Sequence, residues 1–319
     1  MREQVGPIDV FICSSSFESR CLTVAQEISG LLKDKIVLIC HNVDLKTHLE
    51  HNTKHLLKLM TDSNVRMVEF HNDRPIQVIN QLVDKLESIK QGTESFHYLM
   101  DITTFTHEGL LLTLRVLRSI LKKSDSIRFI YNEAADYSTE ETDNNNKWLS
   151  KGIKEIRSVL GYAGSLRPSR KLHLIIMLGF GTERAAHLID TFQPNIISLG
   201  LGHAQQSINT YFREINEARH IQLSSMFSNV NDFEFSCIDP EETKKNLISQ
   251  IELYPNHNVI IAPLNTKIST LGAALVAFEN KNVQLIYASA NLYNYKGFSS
   301  PGESCYLMDL PDFIKLDPK

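Results

Sequence analysis

IDVFICSSSFESRCLTVAQEI (residues 8–28) and LHLIIMLGFGTERAAHLIDTF (residues 172–192) follow one plan: an apolar run, a short polar turn, then an amphipathic stretch. Short runs of branched apolar residues bounded by turn residues read as buried strands, and apolar positions three and four apart read as helix. The two stretches place Phe17 on Phe180 and Arg20 on Arg184. Further along, VEFHNDRP (68–75) falls on FEFSCIDP (233–240), pairing Phe70 with Phe235 and Pro75 with Pro240. YLMDITTFTHEGLLLTLRVL (98–117) falls on IIAPLNTKISTLGAALVAF (260–278), with Asp101 opposite Pro263, and IYNEAADY (130–137) falls on IYASANLY (286–293). Matches in the same order, with a slowly drifting separation, indicate an internal duplication.

Each half then reads as five strands alternating with helices. The strands fall near 8–13, 35–40, 66–70, 96–101 and 127–132, and near 171–178, 195–200, 231–235, 258–262 and 283–288. Such alternation predicts an α/β protein of two tandem Rossmann-like units, each with a mostly parallel sheet flanked by helices. The expected units are residues 1–166 and 167–319, with SLRPSRK (165–171) as the linker. STEETDNNNK (138–147) reads as an exposed loop. WLSKGIKEIRSVLGYAG (148–164) is expected to close the first sheet, and ESCYLMDL (303–310) the second.

Composition bounds the function. With 42% hydrophobic and 22% charged residues, the 319-residue chain has the make-up of a folded globular protein. A net charge of -4 gives no basic field for sequence-independent nucleic-acid binding. The cysteines, Cys13, Cys21, Cys40, Cys237 and Cys305, form no C-x-x-C pair, so they read as free thiols of a reducing compartment rather than disulfides or zinc ligands. Neither a signal-peptide core nor an apolar run of about 20 residues is evident, and the expectation is a soluble, cytoplasmic protein.

Open parallel sheets bind ligands beyond the carboxyl ends of the strands, where strand order reverses. That rule selects the ends of strands one and four of each half. In the first half these carry Ser14, Ser15, Ser16, Glu18 and Arg20, facing Asp101, Thr103, Thr104, Thr106 and His107. In the second they carry Gly179, Gly181, Thr182, Glu183 and Arg184, facing Asn265, Thr266, Lys267 and Ser269. Within GFGTER, glycines permit a close backbone turn, the following helix offers unpaired N–H groups, and Arg184 can fork onto a phosphate. It is neither G-x-G-x-x-G nor a Walker sequence, which disfavours dehydrogenase and NTPase readings. The competing interpretation is a tight turn whose Glu and Arg pair with each other. In DITTFTHE, hydroxyls and backbone N–H groups suit phosphate or ribose, while Asp101 or Thr103 also suits capping of the next helix.

DITTFTH resembles the D-x-T-x-G-T-K motif of CARF (CRISPR-associated Rossmann fold) domains, with Phe105 replacing the glycine and His107 the lysine. PLNTK (263–267) resembles the end of that motif, with Asn265 replacing the glycine. Similar paired units form the SAVED sensor domains of bacterial anti-phage systems. The resemblance implies a phosphate-bearing nucleotide ligand, such as a cyclic oligonucleotide, bound through the strand ends, and an effector protein partner. No cofactor, metal or membrane is expected. Whether the halves face each other or pair across a homodimer stays open at this level.

Other constellations weigh less. His48, His51 and His55 share one face of a predicted helix, but no carboxylate or cysteine joins them, and a solvated amphipathic helix explains them. A Ser14–Ser16 nucleophile with His107 as base lacks the G-x-S-x-G elbow. Tyr131, Tyr137, Tyr287, Tyr293 and Tyr295 read as packing residues more than base-stacking ones. The preferred expectation is a nucleotide-sensing subunit of a prokaryotic defence system. The alternatives are a metal-independent phosphodiesterase using His107 or Lys267, and a structural subunit docking on an effector ATPase or nuclease.

Overall fold

The structure is a computed structural model and describes residues 3–90, 95–144 and 146–315. In chain order it begins β1 (Val10–Ser15), α1 (Arg20–Ile28), β2 (Ile36–Asn42), α2 (Lys46–Leu59), β3 (Asn64–Phe70), α3 (Pro75–Ile89), β4 (His97–Asp101), α4 (His107–Ile120) and β5 (Ser126–Tyr137). It continues β6 (Ser150–Lys151), β7 (Glu155–Ser158), β8 (Leu172–Met177), α5 (Thr182–Phe192), β9 (Ile196–Gly202), α6 (Thr210–Ser224), β10 (Val230–Phe235), α7 (Pro240–Leu253) and β11 (Asn258–Pro263). The last elements are α8 (Lys267–Glu279), β12 (Val283–Ser289), β13 (Leu292–Tyr293), β14 (Ser299–Asp309) and α9 (Asp312–Lys315).

The fold is α/β, with two largely parallel six-stranded sheets flanked by helices. One sheet has the order β14-β5-β4-β1-β2-β3 and the other β10-β9-β8-β11-β12-β7. Read from the first strand of each unit, both run 3-2-1-4-5 and end on an antiparallel edge, β14 on β5 and β7 on β12. The repeat found in the sequence has local causes. Pro75 and Pro240 each open a helix at its first turn, where the missing N–H costs nothing. Thr106 and Thr266 each cap the helix after the fourth strand, accepting from Gly109 N at 3.0 Å and Ser269 N at 3.1 Å. Every residue of β1 is buried. Phe11, Ile39 and Leu99 from the first sheet pack on Val24 and Ile28 of α1, and Leu174, Leu199 and Ile260 from the second pack with Leu188 of α5. Each such side chain contributes roughly 1.5–3 kcal/mol by leaving water.

The edges differ from expectation. The segment expected to close the first sheet supplies β7, which pairs with β12 in the second, Arg157 opposite Tyr287. The segment expected to close the second supplies β14, which pairs with β5 in the first, Tyr306 opposite Tyr131. A short antiparallel edge needs only one apolar face and an open ladder of N–H and C=O groups, so its sequence does not specify which sheet it joins. The compact units accordingly divide elsewhere than at 166/167: one runs to Thr139 and resumes at Gly297, and the other is Glu140–Lys296. SLRPSRK lies inside the second unit, between β7 and β8. All five cysteines are unbridged, and among the described residues no helix is long and apolar enough to cross a membrane.

Candidate functional site

Strand order reverses where the sequence reading placed it, since β1 lies between β2 and β4, and β8 between β9 and β11. In the first unit, however, the polar side chains at that point are turned on one another. Arg20 is 2% exposed. Its Nε and Nη2 donate to Oε2 of Glu18 at 3.0 and 2.5 Å, its Nη1 donates to the carbonyl of Asn132 at 3.1 Å, and its guanidinium lies over the rings of Tyr131 and Tyr137. Burial opposes the Arg20 charge, but the Glu18 carboxylate more than offsets it and holds the guanidinium pKa above its ordinary value. This is the buried Glu–Arg pair weighed for GFGTER, realised here in the other half.

The hydroxyls of DITTFTHE are similarly committed. Oδ1 of Asp101 accepts from the backbone N–H of Thr103 at 3.0 Å and from its hydroxyl at 2.5 Å. That hydroxyl accepts in turn from Asn132 N, tying β4 to β5. Thr104 donates to the carbonyl of Ser14, tying the loop to β1. Phe105, standing where the motif that DITTFTH resembles has glycine, is buried against Phe70. Burial pushes the Asp101 carboxyl up to about 6, against the pull of the Thr103 bonds and the Arg20 charge. Ser15 meets His41 rather than His107, with Oγ 2.8 Å from Nδ1, and Ser16 Oγ accepts from Glu18 N. His107 is the first residue of α4 and partly exposed.

The second unit is built differently. A Cβ on Gly179 would lie 2.6 Å from the carbonyl oxygen of Leu264, so the loops after β8 and β11 touch through backbone. Asn265 fastens them, donating to the carbonyl of Leu178 at 2.5 Å and accepting from Thr266 N at 2.7 Å. Lys267 opens α8. No side chain caps the start of α5 at Gly181. Glu183 Oε2 accepts from Gly152 N at 3.2 Å. Among the described residues no carboxylate pairs with Arg184: Nη1 reaches the carbonyl of Ala288 at 3.5 Å, and Nε is buried without a hydrogen-bond partner.

Gly181, Thr182, Glu183 and Arg184 line a cavity of about 820 Å³. Its other walls are α6 and residues 146–151 with Asn144, rather than Asn265, Thr266 and Lys267. Four cationic side chains, Lys147, Lys151, Arg184 and Arg219, border it against two carboxylates, Glu183 and Glu214. Arg219 donates to the carbonyls of Phe180, Asn144 and Lys147 and lies over the Phe180 ring, 4.9 Å from its centroid. Burial lowers its pKa, and carbonyl dipoles replace water around the charge without cancelling it. Lys151 lies over Trp148, 4.6 Å from the ring centroid. Uncapped helix N–H groups, guanidinium groups and an indole face around one hollow can take a phosphate and a base together.

Sequence reasoning missed Arg219, Lys147, Lys151 and Trp148. Arg219 carries a legible signal, since it follows Phe212 and Ile215 along the buried stripe of α6 that ends at Leu223. Lys147, in the stretch read as an exposed loop, is 4% exposed. Nothing in its neighbours marks it.

No protein-family model matches the chain, and no curated protein matches it in sequence. Among solved structures, it is similar to a Type III CRISPR defence DNA nuclease activated by cyclic oligoadenylate, at a TM-score of 0.50 and 8% identity, covering 91% of this chain and 67% of that one. The cytoplasmic domain of a prokaryotic cation chloride cotransporter aligns over 90% of this chain and 98% of its own, at a TM-score of 0.25 and 8% identity, too low to carry any argument. At 8% identity the first likeness shows a shared fold and nothing finer.

Proposed function

We propose that this chain binds a phosphate-bearing nucleotide, of the cyclic oligonucleotide kind, as a sensing subunit of a prokaryotic defence system. The second-unit cavity is its binding site. The carrying observation is the charge of that cavity: Arg184 and Arg219 at the uncapped start of α5, with no carboxylate among the described residues paired to either guanidinium. The fold likeness to a nuclease activated by cyclic oligoadenylate supports the ligand class. The shared strand order of the two sheets supports the duplication. An effector partner completes the proposal, because a sensor acts through what it switches.

Calorimetric titration of the purified protein with cyclic oligoadenylates, cyclic dinucleotides and ATP tests this. One ring class should bind, remain intact on chromatography, and lose about tenfold or more in affinity on Arg184→Ala or Arg219→Ala. Cleavage of the ring would instead favour the phosphodiesterase. Absence of binding, or binding indifferent to both substitutions, overturns the proposal.

A further inference from the structure

The parallel pairing of β2 and β3 sets Asn42 level with Phe70, so the two strands end flush and deliver their following residues to one place. Asp44 comes two residues after the first, and His71 and Asp73 come one and three residues after the second. One ligand atom from each of Asp44, His71 and Asp73 lies within 4.8 Å of the others. A tetrahedral ion about 2.1 Å from each ligand holds its donors roughly 3.4 Å apart, so rotation of these side chains has to draw the set together.

The loops are held in this register by their own polar groups. Oδ2 of Asp44 accepts from the backbone N–H of Asn72 at 2.7 Å, which fixes the carboxylate plane. The N–H of Asp44 donates to Oδ1 of Asn42 at 3.1 Å, and Nδ2 of Asn42 donates to Oδ1 of Asn72 at 3.2 Å. Oriented carboxylates with a supporting outer layer are what metal sites use. A further carboxylate stands close, Glu69 Oε2 being 3.9 Å from His71 Nε2. Arg74 reaches Asp73 at 3.9 Å, which leaves the cluster negative on balance. The imidazole separates this grouping from an ordinary acidic patch. Carboxylates alone suit magnesium or calcium, whereas a nitrogen donor among them selects first-row transition ions. Asp44 and Asp73 are exposed, leaving room for waters to complete the coordination.

We propose that Asp44, His71 and Asp73 form a binding site for a divalent transition-metal ion of the zinc or manganese class. The histidines of α2 are not part of it.

The test uses the full chain stripped with a chelator and titrated calorimetrically with Zn²⁺, Mn²⁺, Mg²⁺ and Ca²⁺. Zn²⁺ should bind at one equivalent and more tightly than Mg²⁺ or Ca²⁺. His71→Ala, Asp44→Asn and Asp73→Asn should each weaken it about tenfold or more, and Asn42→Ala about 10- to 100-fold through lost orientation. His51→Ala, on α2, should leave it unchanged. Thermal melts of the apo variants check folding, and the near-isosteric asparagines keep the test decisive if His71→Ala misfolds. Zn²⁺ affinity that survives the site substitutions, or Mg²⁺ binding as tight as Zn²⁺, overturns the assignment.

Discussion

The hydroxyl of Ser299 donates to Oε2 of Glu18 at 2.6 Å, joining β14 to the turn before α1 across 281 positions of sequence. The same oxygen takes Nε and Nη2 of Arg20, so one buried carboxylate holds the first helix and the last strand of the unit together.

Removing one partner of such a buried pair strands the other charge away from water. Glu18→Ala should destabilise the first unit by roughly 3–5 kcal/mol, and Glu18→Leu with Arg20→Met by clearly less. Hydrogen exchange at the β1 and α1 amides measures both. An equal loss in the single and double variants would show that packing, not charge, sets the cost.

Asp101 supplies a pH dependence whose sign follows from its raised folded value of about 6 against an ordinary 3.8. Below about pH 4 the group is neutral in both states and costs nothing. Between about 4 and 6 the unfolded chain ionises first, so stability falls as pH rises; above 6 the loss is constant, on the order of 3 kcal/mol. Asp101→Asn keeps an oxygen for Thr103, and should flatten the pH 4–6 slope and raise the melting temperature at pH 7. A titration of the Asp101 carboxyl by NMR with a midpoint near 4 would remove the basis for both.

Gly179 and Gly181 should separate stability from binding. A Cβ at Gly179 meets the backbone carbonyl of Leu264 at 2.6 Å, which cannot step aside without moving the loop. The atoms nearest a Cβ at Gly181 are those of the flexible Arg184 guanidinium, from 2.9 Å. Gly179→Ala should cost about 1–3 kcal/mol in urea unfolding. Gly181→Ala should leave the melting temperature nearly unchanged and weaken cyclic oligonucleotide binding by displacing Arg184.

A chain terminated after Lys296 lacks β14 and leaves the β5 edge open. Its amides in 8–137 should exchange rapidly, while those of the second unit keep their protection. Protection in both portions would mean that the edge strand adds little.

The sequence made legible whatever depends on local period. The ten parallel strands and the two reversal points follow from residues close in the chain, whereas α4 is capped by Thr106 and not by Asp101 or Thr103 as the sequence suggested. The edge strands were not legible, because EIRS and ESCYLMD present the same half-apolar pattern to any open ladder. For the proposed site, the sequence offers Gly181 to Arg184 as a candidate anion-binding turn, but their companions in the cavity, Arg219 and Lys147, come from segments that meet it only after folding. Conversely, Arg20 and the DITTFTHE hydroxyls looked like ligand donors, because a sequence does not show which polar atoms will satisfy one another.

The return of β14 to the first sheet has a consequence during synthesis. As the ribosome extends the chain, residues 140–296 emerge complete and close their own sheet while the earlier portion still waits for its border. At about 5–20 residues per second that interval lasts roughly ten to thirty seconds, with β5 available to any passing strand. The portion translated first is thus finished last, and its hazard is nascent-chain mispairing, a time in which chaperone occupancy matters most.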